Sequence, residues 1–119
     1  MVALNFQPQF ADDVAAGRKT QTIRRSARAQ AGQVLQLYTG QRTKACRKLA
    51  DAVCIDCGYV GLTERGISLW DASRYPRNKD DFARADGFEN YATMWKWFSE
   101  RYKTNSFTGY IIRWKWQLA

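Results

Sequence analysis

The chain contains no histidine in its 119 residues. That absence rules out a Ser/His/Asp arrangement and the commonest neutral metal ligand. Cysteine is scarce too: Cys46, Cys54 and Cys57 are an odd number, which argues against the disulfide framework of a small secreted domain. Cys54-Ile55-Asp56-Cys57 has CxxC spacing, but a zinc site needs about four ligands. Along a strand, positions i and i+3 also face opposite sides, so the two thiols are expected to be core or half-buried. Neither a metal nor a cofactor is expected. GxGxxG and Walker loops are missing, which leaves nucleotide-driven chemistry without support. No apolar run is long enough for a membrane span, and no charged-then-apolar leader opens the chain, so a cytoplasmic protein is expected. Repeats, low-complexity tracts and linkers are also absent. One domain over residues 1–119, monomeric, is the expectation.

Acidic residues are few: eleven Asp and Glu against nineteen Lys and Arg give a formal charge of +8. This balance favours polyanionic partners without separating RNA from DNA. With 45% apolar and 14% aromatic residues, the composition is globular and sufficient for a core.

The densest chemistry lies in Gly17-Arg18-Lys19-Thr20-Gln21-Thr22-Ile23-Arg24-Arg25. Upstream, Pro8, Phe10 and Val14 read as a short helix, with Asp12 and Asp13 in its first turns and Gly17 ending it. Past Gly17, an extended segment would line Thr20, Thr22 and Arg24 along one side. A lysine with a depressed pKa beside a threonine hydroxyl is a base and nucleophile pair. With the lysine protonated, the same groups bind phosphate or a nucleobase, and a charge run of this kind also serves as a solvated face.

Val2 to Phe6 reads as an opening strand, Ser26 to Gln30 as a loop, and Val34 to Tyr38 as a strand. A second basic run, Arg42, Lys44, Arg47 and Lys48, follows the turn at Gly40. Ala50 to Leu62 reads as one long strand or two broken by a bulge. Glu64 to Trp70 suggests another short strand, Asp71 to Lys79 a connection, and Asp80 to Ala85 a brief helix ended by Gly87. Tyr91, Met94, Trp95, Phe98 and Tyr102 mark the clearest helix, with Asn90 as N-cap. The alternation from Tyr110 to Gln117 marks the last strand. Scattered short strands with few helices predict an α+β fold with a closed or half-closed barrel and no parallel βαβ sheet. Most late aromatics belong to the core, with Trp70 and Trp95 as candidates for stacking a base. Asp86-Gly87-Phe88-Glu89 has two readings: its carboxylates cap the following helix, or one of them folds against Lys19.

Phe6-Gln7-Pro8-Gln9-Phe10, the G-x-K-T-x-T-x-R element at Gly17 to Arg24, Gly32 to Gly40, and Asp86-Gly87-Phe88 together resemble an ASCH domain. The likeness is greatest to small stand-alone versions from bacteria and their phages, and it covers nearly the whole chain. It implies a PUA-like mixed or antiparallel β-barrel, with a short N-terminal helix, a longer helix before the last strand, and a cleft for RNA or modified nucleosides. One bacterial branch, the N4-acetylcytidine amidohydrolases, uses a lysine, a threonine and a glutamate. By motif, Lys19 and Thr22 take the first two positions and Glu89, chosen by residue type, the third. Thr22 would attack, Lys19 would act as base, and Glu89 would hold the lysine and pass its proton to the leaving amine. Arg18, Thr20, Arg24, Arg25, Tyr38, Arg42, Lys44 and Asp86 are the expected substrate or nucleic-acid contacts. A non-catalytic RNA or modified-base reader and a ribonuclease are the alternative functions within the family.

Overall fold

The computed structural model describes residues 2–26 and 29–116; Gln117 of the expected last strand, and Ala27 and Arg28 of the expected loop, lie outside them. The chain opens with strand β1, Val2–Phe6, and helix α1, Pro8–Ala15, where proline enters at the first turn. Phe10, Ala11 and Val14 are buried along one face of α1, and Gly17 ends the helix region at φ +79°. Asp12 and Asp13 sit in the second half of α1, not in its first turn. There the Asp13 carbonyl accepts from the backbone N–H groups of Arg18 and Lys19, turning the chain out of the helix.

Strands β2 (Gln21–Arg24), β3 (Val34–Thr39) and β4 (Arg47–Thr63) follow, then β5 (Gly66–Leu69) and a 3-10 turn at Ala72–Arg74. Helices α2 (Lys79–Ala85) and α3 (Tyr91–Tyr102) precede the last strand, β6 (Ser106–Trp116). Asn90 caps α3 by accepting from the Thr93 N–H. Alternation in β3 buries Leu35 and Leu37 on one side. The long strand β4 stays in one piece because a bulge near Ile55 absorbs one extra residue against β6.

The six strands form one mixed sheet in the order β1-β3-β4-β6-β2, with β5 paired to β4. One expectation is corrected here. The sheet is open and not a closed barrel, since β1 and β2 end the path without pairing to each other. It is mixed, as expected: β1 runs parallel to β3 from Val2↔Leu35 to Phe6↔Thr39, across a connection that includes α1 and β2, and the other pairs are antiparallel. The bulge brings a second correction. Cys54 pairs with Trp114 and Cys57 with Ile112, two residues apart on β6, so the cysteines share a face. Burial raises both thiols, Cys54 to about 11, leaving poor thiolates.

One core includes Leu4, Leu37, Leu62, Phe107 and Ile111 of the strands with Val14 of α1 and Phe98 of α3. A second, polar cluster ties β4 to β6 and the 3-10 turn. Asp56, buried in β4, accepts from Arg113 of β6 at 2.6 and 3.1 Å, from Arg74 at 3.3 Å and from the Tyr75 hydroxyl at 3.3 Å. Burial pushes its carboxyl up, but the hydrogen bonds and charge of Arg113, with Arg74 and Tyr75, outweigh that and hold it below the usual range.

Candidate active site

The two strands that fail to pair make the site. A cavity of about 120 Å³ is lined by Asn5, Phe6 and Gln7 from the β1 end and by Thr22, Ile23 and Arg24 from β2. Side chains alternate along a strand, so three consecutive lining residues place the cavity against the strand's edge and not over one face. It lies in the open seam of the sheet. Arg24 bridges that seam: its Nη2 donates to the Asn5 carbonyl at 2.9 Å, and its guanidinium lies 5.2 Å from the Phe6 ring centre. Aromatic walls come from Phe10 of α1, Phe88, and Trp97, Phe98 and Tyr102 of α3. Phe10 meets Phe88 and Trp97 edge to face, an arrangement that fixes the rings.

Lys19 lines this cavity while only 2% exposed. Its ammonium donates to the Asp86 backbone carbonyl and stands 3.5 Å from the Asp86 carboxylate, with the Phe10 ring centre at 5.0 Å. Asp86, also buried, accepts from Gln21 Nε2 at 3.1 Å. Local folding explains the meeting. Thr20 N–H donates to the Ala85 carbonyl, which docks the start of β2 on the end of α2. Asp86 then caps α2, and Gly87, at φ +95°, turns the chain away. A side chain at Gly87 would meet Lys19 Cδ and Phe10 Cδ1 at 3.1 Å, so the close approach of lysine and turn depends on glycine there.

Burial dominates the electrostatics of the pair. It pushes Lys19 below the ordinary lysine value; Asp86 opposes that push and Arg24 adds to it. Burial likewise pushes Asp86 above the usual carboxylate value, against Lys19, Gln21 and Arg24. Both shifts run toward the neutral forms, at the cavity wall. Such a pair can take a proton from one ligand atom and return it to another.

The sequence-derived residues divide as follows. Lys19, Thr22, Arg24 and Asp86 line the one cavity. Glu89 does not join them. It is exposed, on a surface hollow with Asp13, Arg18 and Arg84, because the turn at Gly87 sends the chain outward after Asp86. The carboxylate beside Lys19 is therefore Asp86. Thr22 is 6% exposed, and its hydroxyl makes no hydrogen bond among the described residues. Arg18 is tied to Asp13 at 2.7 Å, Thr20 lies on the surface, and Arg25 stacks 4.6 Å from the Tyr102 ring centre. Tyr38 is half-buried in β3 opposite Lys48. Arg42 and Lys44 are exposed on the turn after Gly40, and Arg42 shares a surface hollow with Asn5 and Arg24. Trp70 and Trp95 lie away from the cavity: Trp70 stacks under Arg74 at 4.9 Å, and Trp95 borders a hollow with Glu64 and Lys96.

Gln21 holds Asp86, a role that its place between Thr20 and Thr22 does not signal. Trp97 and Arg101 line the cavity from α3, with the guanidinium 5.2 Å from the Trp97 ring centre. Their i, i+4 spacing on a helix was the available signal.

Among the described residues no group of three or more His, Cys, Asp or Glu is placed to hold a metal ion, and no helix is long and apolar enough to cross a membrane. Fold and site together define an α+β domain with an aromatic cavity in the seam of an open mixed sheet and a buried lysine–aspartate pair on its wall. Compared with models of known families, with curated proteins and with solved structures, the chain matches none.

Proposed function

We propose that this is an ASCH-type, PUA-like domain whose seam cavity takes the base of a modified nucleoside and hydrolyses an N4-acylated cytidine. The observation that carries the reading is the buried Lys19–Asp86 pair on the wall of an aromatic cavity. Size agrees: about 120 Å³ is far below the roughly 300–1,000 Å³ of sites that enclose drug-sized ligands, and suits a single ring. Aromatic walls suit a planar base in any stacking order.

In this mechanism neutral Lys19 takes the proton of the Thr22 hydroxyl as its oxygen attacks the acyl carbon. Arg24 donates to the oxyanion that forms. The C–N4 bond then breaks, and the proton held by Lys19 and Asp86 passes to N4, releasing cytidine. Water attacks the resulting ester with the same pair as base, releasing the carboxylic acid and restoring Thr22. Asp86 replaces Glu89 in the proton-handling role.

The test is to incubate the protein with N4-acetylcytidine and follow cytidine by chromatography, alongside Lys19→Ala, Thr22→Ala and Asp86→Ala. Turnover by the wild type, lost in Lys19→Ala and Thr22→Ala and strongly reduced in Asp86→Ala, is the expected result. No turnover by folded wild-type protein would remove the hydrolase and leave a reader of modified bases. Retained activity in Thr22→Ala would replace the threonine by water as nucleophile.

A further inference from the structure

The open edge of β2 has a consequence for what the cavity can recognise. Trp114 N–H donates to the Thr20 carbonyl at 3.1 Å, and the β2–β6 register runs Gln21↔Arg113, Thr22↔Ile112, Ile23↔Ile111 and Arg24↔Tyr110. In an antiparallel ladder, directly opposed residues alternate between exchanging hydrogen bonds and not doing so. The Thr20 carbonyl and the main chains of Thr22 and Arg24 therefore bond to β6, while Gln21 and Ile23 turn their main-chain N–H and C=O the other way. That way is the seam, since β2 ends the sheet. Gln21 does not line the cavity, whereas Ile23 does. Its side chain is 5% exposed and anchored in the core, which fixes the backbone in place. On the facing strand, the Asn5 carbonyl is already occupied by Arg24. One donor and one acceptor, both from Ile23, are left at the cavity edge without a strand to pair with among the described residues.

We infer that the main chain of Ile23 reads the ligand, pairing with a planar ring that carries a hydrogen-bond acceptor directly beside a donor. In a cytosine-type ring the Ile23 N–H donates to ring N3, and the exocyclic N4–H donates to the Ile23 carbonyl. The base occupies the place that a seventh strand would take if the sheet closed. This rests on the base-binding reading above and adds which face of the base is read. An extended peptide is disfavoured as occupant, because the cavity holds about one ring and the exposed edge has only four residues.

The test removes one ligand atom at a time. N4-acetylcytidine, its 3-deaza analogue and its N4-methyl analogue are titrated by calorimetry into Thr22→Ala, which binds without turnover in the proposed mechanism. Each analogue should bind at least about tenfold more weakly than the parent, because a buried backbone group then loses its partner. Equal binding of parent and analogues, or a loss for only one of them, overturns the two-point reading by Ile23 and leaves the base site standing. No binding of the parent overturns the base site and this inference with it. On the protein side, Ile23→Pro deletes the N–H without removing a ladder bond, since proline is tolerated where an edge N–H faces away from its neighbour. Folded Ile23→Pro should lose the parent's advantage over the 3-deaza analogue, and retention of that advantage would overturn the inference.

Discussion

Lys19 and Asp86 illustrate why a residue's surroundings matter more than its type. A lysine beside a carboxylate in water stays protonated; here burial, with Arg24 in support, pulls the amine toward neutrality. If neutral Lys19 is the base, activity rises with pH along a limb set by its pKa. Removing the Arg24 charge takes away a lowering influence, so Arg24→Gln should move that limb to higher pH, as read from kcat/KM against pH. A stability cycle tests the same pair. Lys19→Met and Asp86→Leu, made singly, each strand a buried polar partner and should cost roughly 3 kcal/mol; the double variant should recover most of that in urea denaturation. Simple addition of the two costs would show that the residues do not interact.

Among elements, β2 decides the geometry of the seam, and β6 holds β2 in place. Gly109 of β6 lies so close that a Cβ there would stand 2.4 Å from the Arg24 carbonyl oxygen, a backbone atom with little freedom to yield. Gly109→Ala should cost about 2 kcal/mol or more in chemical denaturation and weaken ligand binding as Arg24 shifts. The Asp56 cluster works at the same scale, tying β4, β6 and the 3-10 turn together. Its folded pKa is depressed, so its stabilisation is present above the unfolded aspartate value of about 3.9 and is lost as pH falls through the folded value. Asp56→Asn should lose roughly 2–3 kcal/mol at neutral pH and show a flatter decline of stability on acidification, followed by thermal melts.

For the whole molecule, the charge of +8 is unevenly employed. Arg47 and Lys48 pair with Asp12 and Asp51, at 3.7 and 2.7 Å, whereas Arg42 and Lys44 have no acidic partner among the described residues. Arg42 shares a hollow with Arg24 at the seam. Binding of a single-stranded RNA oligonucleotide should therefore fall steeply as salt is raised, with a slope proportional to the phosphates contacted. Free nucleoside should bind with little dependence on salt. Equal salt dependence for both would mean that the basic surface plays no part in holding the strand.

Much of this was legible in the residues themselves. Periodicity located α3, β3 and β6, Asn90 marked a cap, and the G-x-K-T-x-T-x-R stretch placed Lys19, Thr22 and Arg24, because these signals are local and repeat within a few residues. What the sequence could not supply depends on contacts between distant residues. Asp86 and Glu89 stand three apart in one acidic turn, and only the φ of Gly87 and the bond from Thr20 to Ala85 decide which of them meets Lys19. The side-by-side cysteines follow from a bulge whose position is set by pairing with β6. Whether the strands closed into a barrel was likewise beyond any local pattern, since closure requires β1 and β2 to meet across the fold. They do not pair, and the gap between them, lined by aromatic rings and bridged by Arg24, is the cavity itself.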